Sequence, residues 1–480
     1  MKEAFIERHG LWSDLQRDAA EQVKKEIERL DLRQIRVGWG DQHGIVRGKT
    51  LTVTEFLRSL EEGKDFQFVT AIFDTTNHPI VAPVETDGFP GVPELDGLPD
   101  GVLVPDPTTF KVLPWVERTG WVLSDAYFSN GRPLPFSSRG VLRSQLGQLA
   151  EAGYNYIAGL EFEFYIFRLE DPSLAMEECG YPPTPPKVSG LSHGFQYLTE
   201  SRGDEVNELL TALQDNIEAL GLPLLSVEDE WGPGQVEFTF APEEGLRAAD
   251  NALLFRTAVK QICRRLGYHA TFMARPAFEH CFATGWHLHQ SLQPLGTESN
   301  AFSDPTGGER LSSLGLQWLA GLLEHALAAS VMTTPTVNGY KRFRPDSFAP
   351  DRAAWDYENR GAMLRVIGEP GSAAAHIENR IGDPAANPYL YLASQVASGL
   401  DGLRRQLTPV APISDPYRSD APLLPRSLME AVDVLRSDEF FRQALGPELI
   451  DYLIRLKDFE TARFLQHITD WEHLEYFEMY

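Results

Sequence analysis

Cysteine is scarce in this chain of 480 residues, and its three cysteines lie far apart in the sequence. Cys179, Cys263 and Cys281 match no metal-ligand spacing, so we expect free, buried thiols in a reducing cytoplasm. The segment MKEAFIERHGLW lacks the apolar run of a secretory signal. No apolar stretch reaches the roughly 20 residues that span a bilayer. We therefore predict a cytoplasmic protein that does not enter the membrane.

Basic residues are also few, with 43 Lys and Arg against 69 Asp and Glu, for a net charge of -26. Nucleic acids and anionic lipid surfaces need a basic surface, so both are excluded as expected partners. The chain also lacks the GxxxxGK[ST] and GxGxxG loops. Any nucleotide must therefore bind without a P-loop or a Rossmann turn. An anionic ligand would need a local cluster of arginines or a metal ion.

The patterns that are present divide the chain near residue 133. The N-terminal part, 1–133, opens with a helical pattern in WSDLQRDAAEQVKKEIERL, followed by a strand pair that turns at Gly44. In the larger part, 134–480, short strands alternate with helices at 204–220, 247–266 and 311–331, and the last 60 residues are helical by periodicity. The Pro- and Gly-rich segment 171–194 predicts an exposed, lid-like loop.

The segment GLEFEFY alternates aromatic and acidic residues, as expected for a strand. Glu161 and Glu163 then lie on one face, while Phe162 and Phe164 point to the other. Three further segments, GPGQVEFTF, GWHLHQSL and HIENRIGDP, show the same pattern. Their polar residues are Gln235, Glu237, Thr239, His287, His289, Ser291, His376, Glu378 and Arg380, with Glu230 seven residues before Glu237. A solvated strand face explains any one segment, but four strands side by side would line one charged cavity.

Five carboxylates in one cavity cannot all stay ionised unless cations neutralise them. Oxygen ligands with a small histidine share favour Mg²⁺ or Mn²⁺ over Ca²⁺ or Zn²⁺. Paired metals are typical of phosphoryl transfer. A glycosidase active site would account for only two of the acids.

Guanidinium groups bind carboxylate and phosphate, or alternatively form surface ion pairs. The nearby arginines are Arg342, Arg344, Arg360, Arg365 and Arg380.

The ordered motifs EFEFYIF, EDEWGPGQVEF, GWHLHQSL, TVNGYKRFRP, ENRGAMLR and IENRIGDPAANPYLYLA resemble those of glutamine synthetases. DQHGIVRGK is similar to the motif of that family's N-terminal domain. The resemblance implies an α+β fold, with an N-terminal β-grasp domain and a C-terminal glutamine synthetase-type catalytic α+β domain built on a curved antiparallel sheet. It also implies a homo-oligomer of two stacked rings, usually a dodecamer, with active sites between neighbouring subunits.

The family uses ATP to convert the γ-carboxylate of glutamate into an acyl phosphate, which an amine attacks. By matching motif, the resemblance implies two metal sites and three groups of substrate-binding residues. One metal would bind Glu163, Glu230 and Glu237, and the other Glu161, His287 and Glu378. Arg342, Arg380 and Gly285 would bind glutamate. Arg360 would stabilise the transferring phosphoryl group, and Ser291, Arg365 and His289 would contact ATP.

The sequence departs from glutamine synthetases at the acceptor site. The family's flap glutamate, which closes over ammonium, is replaced by Phe348, and an Asn-Gly pair by Phe282 and Ala283. Asp74 is the candidate for the remaining ammonium-binding carboxylate. An aromatic flap favours a less charged amine, and an arylamine is already neutral at pH 7.

We therefore predict a ligase that forms γ-glutamylamides from an organic alkylamine or arylamine. The alternatives are a glutamine synthetase that uses ammonia, and a catalytically silent structural or regulatory relative. The retained ligand set argues against the silent relative.

Overall fold

The computed structural model describes residues 3–81, 89, 91–195 and 197–480. Its first part contains three helices and six strands: α1 (Phe5–Arg8), α2 (Asp14–Arg29), β1 (Gln34–Gly40), β2 (Val46–Thr52), α3 (Val53–Glu62), β3 (Lys64–Gln67), β4 (Asp100–Pro105), β5 (Lys111–Val112) and β6 (Thr119–Tyr127). The strands form one sheet in the order β2-β1-β6-β4-β3, and β5 pairs with β6. Strands β1 and β6 run parallel, whereas the other pairs are antiparallel.

Helix α2 begins where a capping box satisfies its free backbone groups. The Ser13 side chain accepts from the N–H of Gln16, and the Gln16 side chain accepts from the N–H of Ser13. Its apolar residues recur every three or four positions, so they form one stripe. Ala20, Val23 and Ile27 in that stripe are buried in a core that also contains β1, β2, β6 and α3 residues. The predicted opening helix and the strand pair turning near Gly44 are both present.

The second part contains the remaining elements: α4 (Ser138–Glu151), β7 (Tyr154–Leu169), β8 (Val188–Ser189), α5 (Glu200–Glu205), α6 (Asn207–Ala219), β9 (Leu224–Asp229), β10 (Gln235–Phe240), β11 (Glu243–Glu244), α7 (Gly245–Arg265), β12 (Tyr268–Thr271), β13 (Trp286–Pro294), α8 (Ser313–Glu324), α9 (Ala326–Thr333), β14 (Trp355–Tyr357), β15 (Leu364–Ile367), β16 (His376–Asn379), α10 (Pro388–Arg405), α11 (Leu428–Arg436), α12 (Glu439–Leu445), α13 (Pro447–Leu465) and α14 (Asp470–Tyr476).

A ten-stranded sheet organises this part, with the order β14-β15-β16-β13-β7-β10-β9. The short strands β8, β11 and β12 also pair with β7. All these pairs are antiparallel except β14 with β15. The four polar-faced segments of the sequence therefore become the adjacent strands β16, β13, β7 and β10. That order brings their polar residues to one region of the sheet.

The predicted helix at 311–331 is two helices, α8 and α9, divided at His325. His325 Nε2 lies 2.8 Å from Asp401 Oδ2 of α10, and its ring stacks on Phe440 with centroids 3.6 Å apart. These distant contacts hold His325 outside helical geometry, and local periodicity does not reveal them. The C-terminal residues form α11 to α14, as predicted. Cys263 and Cys281 are buried free thiols, as predicted, but Cys179 is exposed, so that part of the prediction is wrong. Within the described ranges, no helix combines the length and apolarity needed to cross a membrane.

A buried arginine on α4 connects the two parts. The Arg139 guanidinium donates to Asp106 (2.8 Å) and Asp125 (3.1 Å) of the first part, and to Asp250 of α7 (2.8 Å). The hydroxyl of Tyr389 on α10 also donates to Asp250 (2.7 Å). Arg139 keeps the pKa of Asp125 below its usual value although burial alone would raise it. One charged network therefore joins elements on both sides of residue 133.

Candidate active site

Strand β7 carries the central acids, and its other face explains their position. Phe162 and Phe164 are fully buried, Phe162 stacking on Trp286 at 4.5 Å and Phe164 on Phe272 at 4.7 Å between ring centroids. Burying each such side chain stabilises the fold by about 1.5–3 kcal/mol. Because side chains alternate along a strand, Glu161 and Glu163 must lie on the opposite face.

The register of the neighbouring strands adds more polar groups to that face. Glu161 lies opposite His287 of β13, and Glu163 lies opposite Glu237 of β10. On the far side of β13, Glu378 of β16 lies opposite His289. Directly opposed residues have side chains on the same face of a sheet. The acids and histidines predicted from four separate segments therefore meet in one cluster.

Two sets of potential metal-ligand atoms occur in this cluster, each with its atoms within 4.8 Å of one another. One set contains Glu161, His287 and Glu378, as the family resemblance implies. The other contains Glu163 and Glu237 together with His287, so His287 belongs to both. Its Nε2 lies 3.8 Å from Glu163 Oε1, and its Nδ1 lies 3.6 Å from Glu378 Oε1.

Glu230 belongs to neither set in the described part of the chain, although it follows β9 at the end of this sheet. One of its carboxylate oxygens accepts a hydrogen bond from the backbone N–H of Trp231 (3.1 Å). Burial raises its pKa to about 7, and the neighbouring charge of Glu163 adds to the increase. Glu230 is therefore close enough to the cluster to sense its charge.

The charges of the cluster are unbalanced without a cation. Burial and, to a smaller extent, the charges of Glu161 and Glu163 together raise the pKa of Glu237 to about 10. Burial also disfavours ionised Glu161, but His287 and His289 lower its pKa overall. Carboxylates packed this closely can stay ionised together only if a cation neutralises their charges. Carboxylate oxygens with one imidazole nitrogen fit Mg²⁺ or Mn²⁺.

Two buried arginines lie beside the cluster. Arg342 donates from Nη1 to the carbonyl of Ile381 (2.9 Å), while its Nε is buried without a hydrogen-bond partner among the described residues. Arg380 pairs with Glu378 and donates from Nε to the carbonyl of Arg360 (3.1 Å). An unpaired buried donor is costly, so the Arg342 Nε favours an anionic ligand such as a carboxylate.

Gly285 lies where no side chain fits. A Cβ at this position would be 2.9 Å from His287 Nε2 and 3.0 Å from Arg342 Nη2. Its backbone N–H donates to Glu163 Oε2 (3.0 Å). Glycine therefore lets the backbone pass between a cluster histidine and a buried arginine, and also helps to orient Glu163.

The residues predicted to contact ATP lie on β13 (His289 and Ser291) and on β15 (Arg365). Arg365 of β15 donates to Glu378 (3.2 Å) and Glu358 (2.8 Å), and its Nε is unpaired among the described residues. His289 Nε2 lies 3.1 Å from Glu161 Oε2, and its Nδ1 lies 3.1 Å from His376 Nε2. Ser291 follows on the same strand, two positions further along. Arg360 is exposed on the turn before β15.

Two predicted acceptor-site residues, Asp74 and Phe348, contact other parts of the molecule than the acid cluster or are exposed to solvent. Asp74 is buried in the first part of the molecule, where its carboxylate pairs with Arg463 of α13 (3.1 Å) and accepts from Thr76 and His78. Phe348 lies on the loop after Arg342 with 69% of its surface exposed and a left-handed φ of 57°. Among the described residues, neither side chain forms a hydrogen bond or an ion pair with the acids, so these two assignments stay predictions.

Sequence reasoning did not single out Gln235 as a site residue, although it noted that Gln235 is co-facial with Glu237. Gln235 Nε2 donates to Glu163 Oε2 (3.1 Å), and the hydroxyl of Tyr165 donates to Gln235 Oε1 (3.2 Å). It also missed Phe195 and Trp231, whose rings contact Phe282 at 5.4 and 6.4 Å between centroids. The adjacency of Trp231 to Glu230 was the available signal.

Comparison with known proteins identifies the architecture. Residues 135–476 match the family model described as the glutamine synthetase catalytic domain. The chain belongs to the glutamine synthetase family. This membership agrees with the mixed fold of helices and a curled sheet, and with the acid–histidine cluster.

Several relatives within the glutamine synthetase family align along nearly the whole chain. The γ-glutamylanilide synthase of an Acinetobacter species is 44% identical over 494 residues, covering 99% of each chain. The glutamate–isopropylamine ligase of a Pseudomonas species is 32% identical and covers 95% of this chain and 97% of that protein. A solved GmaS–ADP complex superposes with a TM-score of 0.80 at 26% identity, covering 95% and 99% of the two chains.

Proposed function

We propose that this protein is an ATP-dependent ligase that joins the γ-carboxylate of glutamate to an organic amine, with arylamines as the acceptor class. One observation carries the ligase chemistry: two overlapping acid–histidine sets lie beside buried arginines on one sheet. The 44% identity to a γ-glutamylanilide synthase over 99% of both chains supports the arylamine acceptor. The 32% identity to a glutamate–isopropylamine ligase supports organic amines more generally.

In this proposal the acid cluster holds two divalent cations, Mg²⁺ or Mn²⁺. The first would bind Glu161, His287 and Glu378, and the second Glu163, Glu230 and Glu237. When bound, such cations neutralise negative charge on a phosphoryl group that is being transferred. The high pKa of Glu237 supports this arrangement, because it reports uncompensated negative charge in the cluster.

The arginines then bind and orient the substrates. Arg342 and Arg380 hold the carboxylates of glutamate, Arg365 with His289 and Ser291 contacts ATP, and Arg360 stabilises the transferring phosphoryl group. The γ-carboxylate oxygen attacks the terminal phosphorus of ATP, and ADP leaves as the new P–O bond forms. The amine nitrogen then attacks the acyl carbon, the C–O bond to phosphate breaks, and the nitrogen loses a proton.

Phe348 and Asp74 complete the proposed acceptor site. Phe348 provides an aromatic flap in place of a carboxylate, so it favours a neutral, apolar amine over ammonium. Asp74 would act from a neighbouring subunit, which fits its position in the first part of the molecule, against α13 and away from the acids of its own chain.

We also propose the domain organisation, the cellular location and the assembly that the family resemblance implies. Residues 1–133 would form a β-grasp domain, supported by the six-stranded sheet with α2 and α3 in its core. Residues 134–480 would form the catalytic domain of a cytoplasmic homo-oligomer of stacked rings.

The test is turnover by the purified protein with ATP, glutamate, Mg²⁺ or Mn²⁺, and separate amines. We expect ADP release and a γ-glutamylamide detected by mass spectrometry with aniline and isopropylamine, and much less product with ammonia. Glu378→Gln is the matched control and should abolish product. If ammonia is preferred by a wide margin, the protein is a glutamine synthetase. If no amine releases ADP, the protein is a catalytically silent relative.

A further inference from the structure

Four aromatic side chains form a continuous group at the edge of the acid cluster, next to Glu230 and Gln235. We call this group the aromatic rim, and its members are Phe195, Tyr197, Trp231 and Phe282. Phe282 contacts Phe195 at 5.4 Å and Trp231 at 6.4 Å between ring centroids, and Trp231 contacts Tyr197 at 5.5 Å. Each member is 41–54% exposed. Large apolar side chains grouped at a surface mark a binding site more often than singly scattered ones do.

Hydrogen bonds fix part of the rim to the acid cluster. The backbone N–H of Phe282 donates to the hydroxyl of Tyr165 (2.8 Å), which in turn donates to Gln235 (3.2 Å). Gln235 donates both to Glu163 (3.1 Å) and to the carbonyl of Ala283 (3.3 Å). Phe282 is thus three hydrogen bonds from a proposed metal ligand.

Trp231 places a second ring at the same edge of the cluster. It directly follows Glu230, and its backbone N–H donates to the Glu230 carboxylate. Tyr197 is also within electrostatic reach, because Glu230 raises its pKa in addition to the effect of its partial burial. The three elements that carry the rim therefore converge at the Glu230 end of the sheet.

The rim rings meet at steep angles, with 64° between Phe195 and Phe282 and 90° between Trp231 and Phe282. Such edge-to-face geometry leaves ring faces and edges open to another aromatic ring. An adenine ring is a poorer occupant, because the predicted ATP contacts lie on the central strand β13 and on β15, whereas Trp231 follows β9 at the edge of the strand order. An arylamine suits this place, since its ring would contact the rim while its nitrogen faces the acid cluster.

We infer that the aromatic rim binds the ring of the arylamine acceptor and selects it over aliphatic amines and ammonia. This inference rests on the proposed ligase function and names the residues that determine its acceptor specificity. Phe195, Trp231 and Phe282 are specificity-determining residues in this account, because they contact the acceptor ring and take no part in phosphoryl transfer.

The experiment measures kcat/KM for aniline, isopropylamine and ammonia in Phe195→Leu, Trp231→Leu and Phe282→Leu. Losing one ring contact should lower the ratio of kcat/KM for aniline to that for isopropylamine by about tenfold. The change should arise mainly in the KM for aniline, with the KM for ATP unaltered. Phe195→Tyr and Trp231→Phe keep a ring and should retain the ratio. Trp471→Leu, which removes a 62% exposed tryptophan from α14, is the control away from the rim.

Three results would overturn the inference: an unchanged ratio in all three leucine variants, an equal loss with every amine, or an altered oligomer size with the ratio unchanged. The last result would identify the rim as a subunit contact.

A second measurement separates an error in the proposed ligase function from an error in the proposed role of the rim. If the wild type makes no product, aniline binding is measured by calorimetry in the presence of glutamate. Binding that Trp231→Leu weakens would support the rim, and equal or undetectable binding by both proteins would overturn it.

Discussion

The acid cluster shows at the scale of single residues how a charge imbalance becomes a binding site. Glu163 and Glu237 oppose each other across two strands, and the pKa of Glu237 rises to about 10 as burial and like charges disfavour its ionised form. At neutral pH without metal, this carboxyl therefore holds a proton. A divalent cation must displace that proton before the oxygen can bind it.

Mn²⁺ binding at pH 7 should therefore release a proton from Glu237. The release should shrink as the pH rises from 7 towards the raised pKa of Glu237, since the carboxyl is then increasingly ionised, and metal affinity should rise over the same range. Calorimetry in buffers with different heats of ionisation measures the released protons. Glu237→Gln has no proton to lose, so it should bind metal more weakly and with less release. Identical proton release in this variant would contradict the assignment.

Phe348 is the residue that we propose as the acceptor flap, and its substitution tests the preference between amines. Phe348→Glu should raise the ratio of kcat/KM for ammonia to that for aniline by about tenfold, because a carboxylate stabilises ammonium and accepts its proton. Phe348→Leu keeps the position apolar and should leave ammonia a poor substrate. Steady-state ADP release with the two amines measures the shift, and a glutamate variant without any shift would remove Phe348 from the acceptor site.

Some secondary-structure elements can be predicted from the local sequence pattern, whereas others depend on contacts with residues that are distant in the sequence. Strand β7 and its neighbours were predictable because two-residue alternation separates Phe162 from Glu161 directly. The division of α8 from α9 was not, because His325 is held by Asp401 and Phe440, which are distant in sequence. The same limit applies to the site: motifs indicated the acids, whereas the rim depends on rings brought together by folding.

The Arg139 network is the contact between elements that we expect to matter most for stability. Arg139→Met would leave the buried carboxylates of Asp106, Asp125 and Asp250 without their shared cation, which should cost about 3–5 kcal/mol. Urea unfolding measures this loss. Arg143→Met removes a partly exposed partner of Asp125 and should cost less, about 1 kcal/mol. Equal losses in the two variants would contradict the proposed importance of burial.

The Arg139 network also makes the stability of the fold depend on pH. Because Arg139 lowers the folded-state pKa of Asp125, this carboxylate contributes stability above its unfolded pKa of about 4 and loses it as the pH falls through the lower folded value. The wild type should therefore lose stability below about pH 4. Arg139→Met should show a weaker acid dependence from this site, measurable as melting temperature against pH.

At the scale of the whole molecule, the proposed function divides the active site between neighbouring subunits. Asp74 is held against α13 by Arg463, while the acids lie on the large sheet, so the proposed acceptor carboxylate and the cluster would meet only across subunits. Heterologous ring interfaces allow such an arrangement.

Mixing two inactive variants tests this arrangement. Asp74→Asn and Glu378→Gln should each be inactive alone, yet oligomers assembled from both should recover activity in about a quarter of their sites under random assembly. The ADP release of the dissociated and reassembled mixture is the measurement. A mixture as inactive as its parents would place each site within one subunit.

The order of strands in the large sheet has a consequence for how this scaffold can diversify. Arg365 and His376 lie on β15 and β16 near one end, whereas Glu230 and Trp231 follow β9 at the opposite end. In the proposed function, substitutions of the rim residues can therefore change the acceptor preference while the ATP-contacting residues on β13 and β15 stay unaltered. Libraries that vary only Phe195, Trp231 and Phe282 should yield enzymes for amines of different size and shape from a single parent.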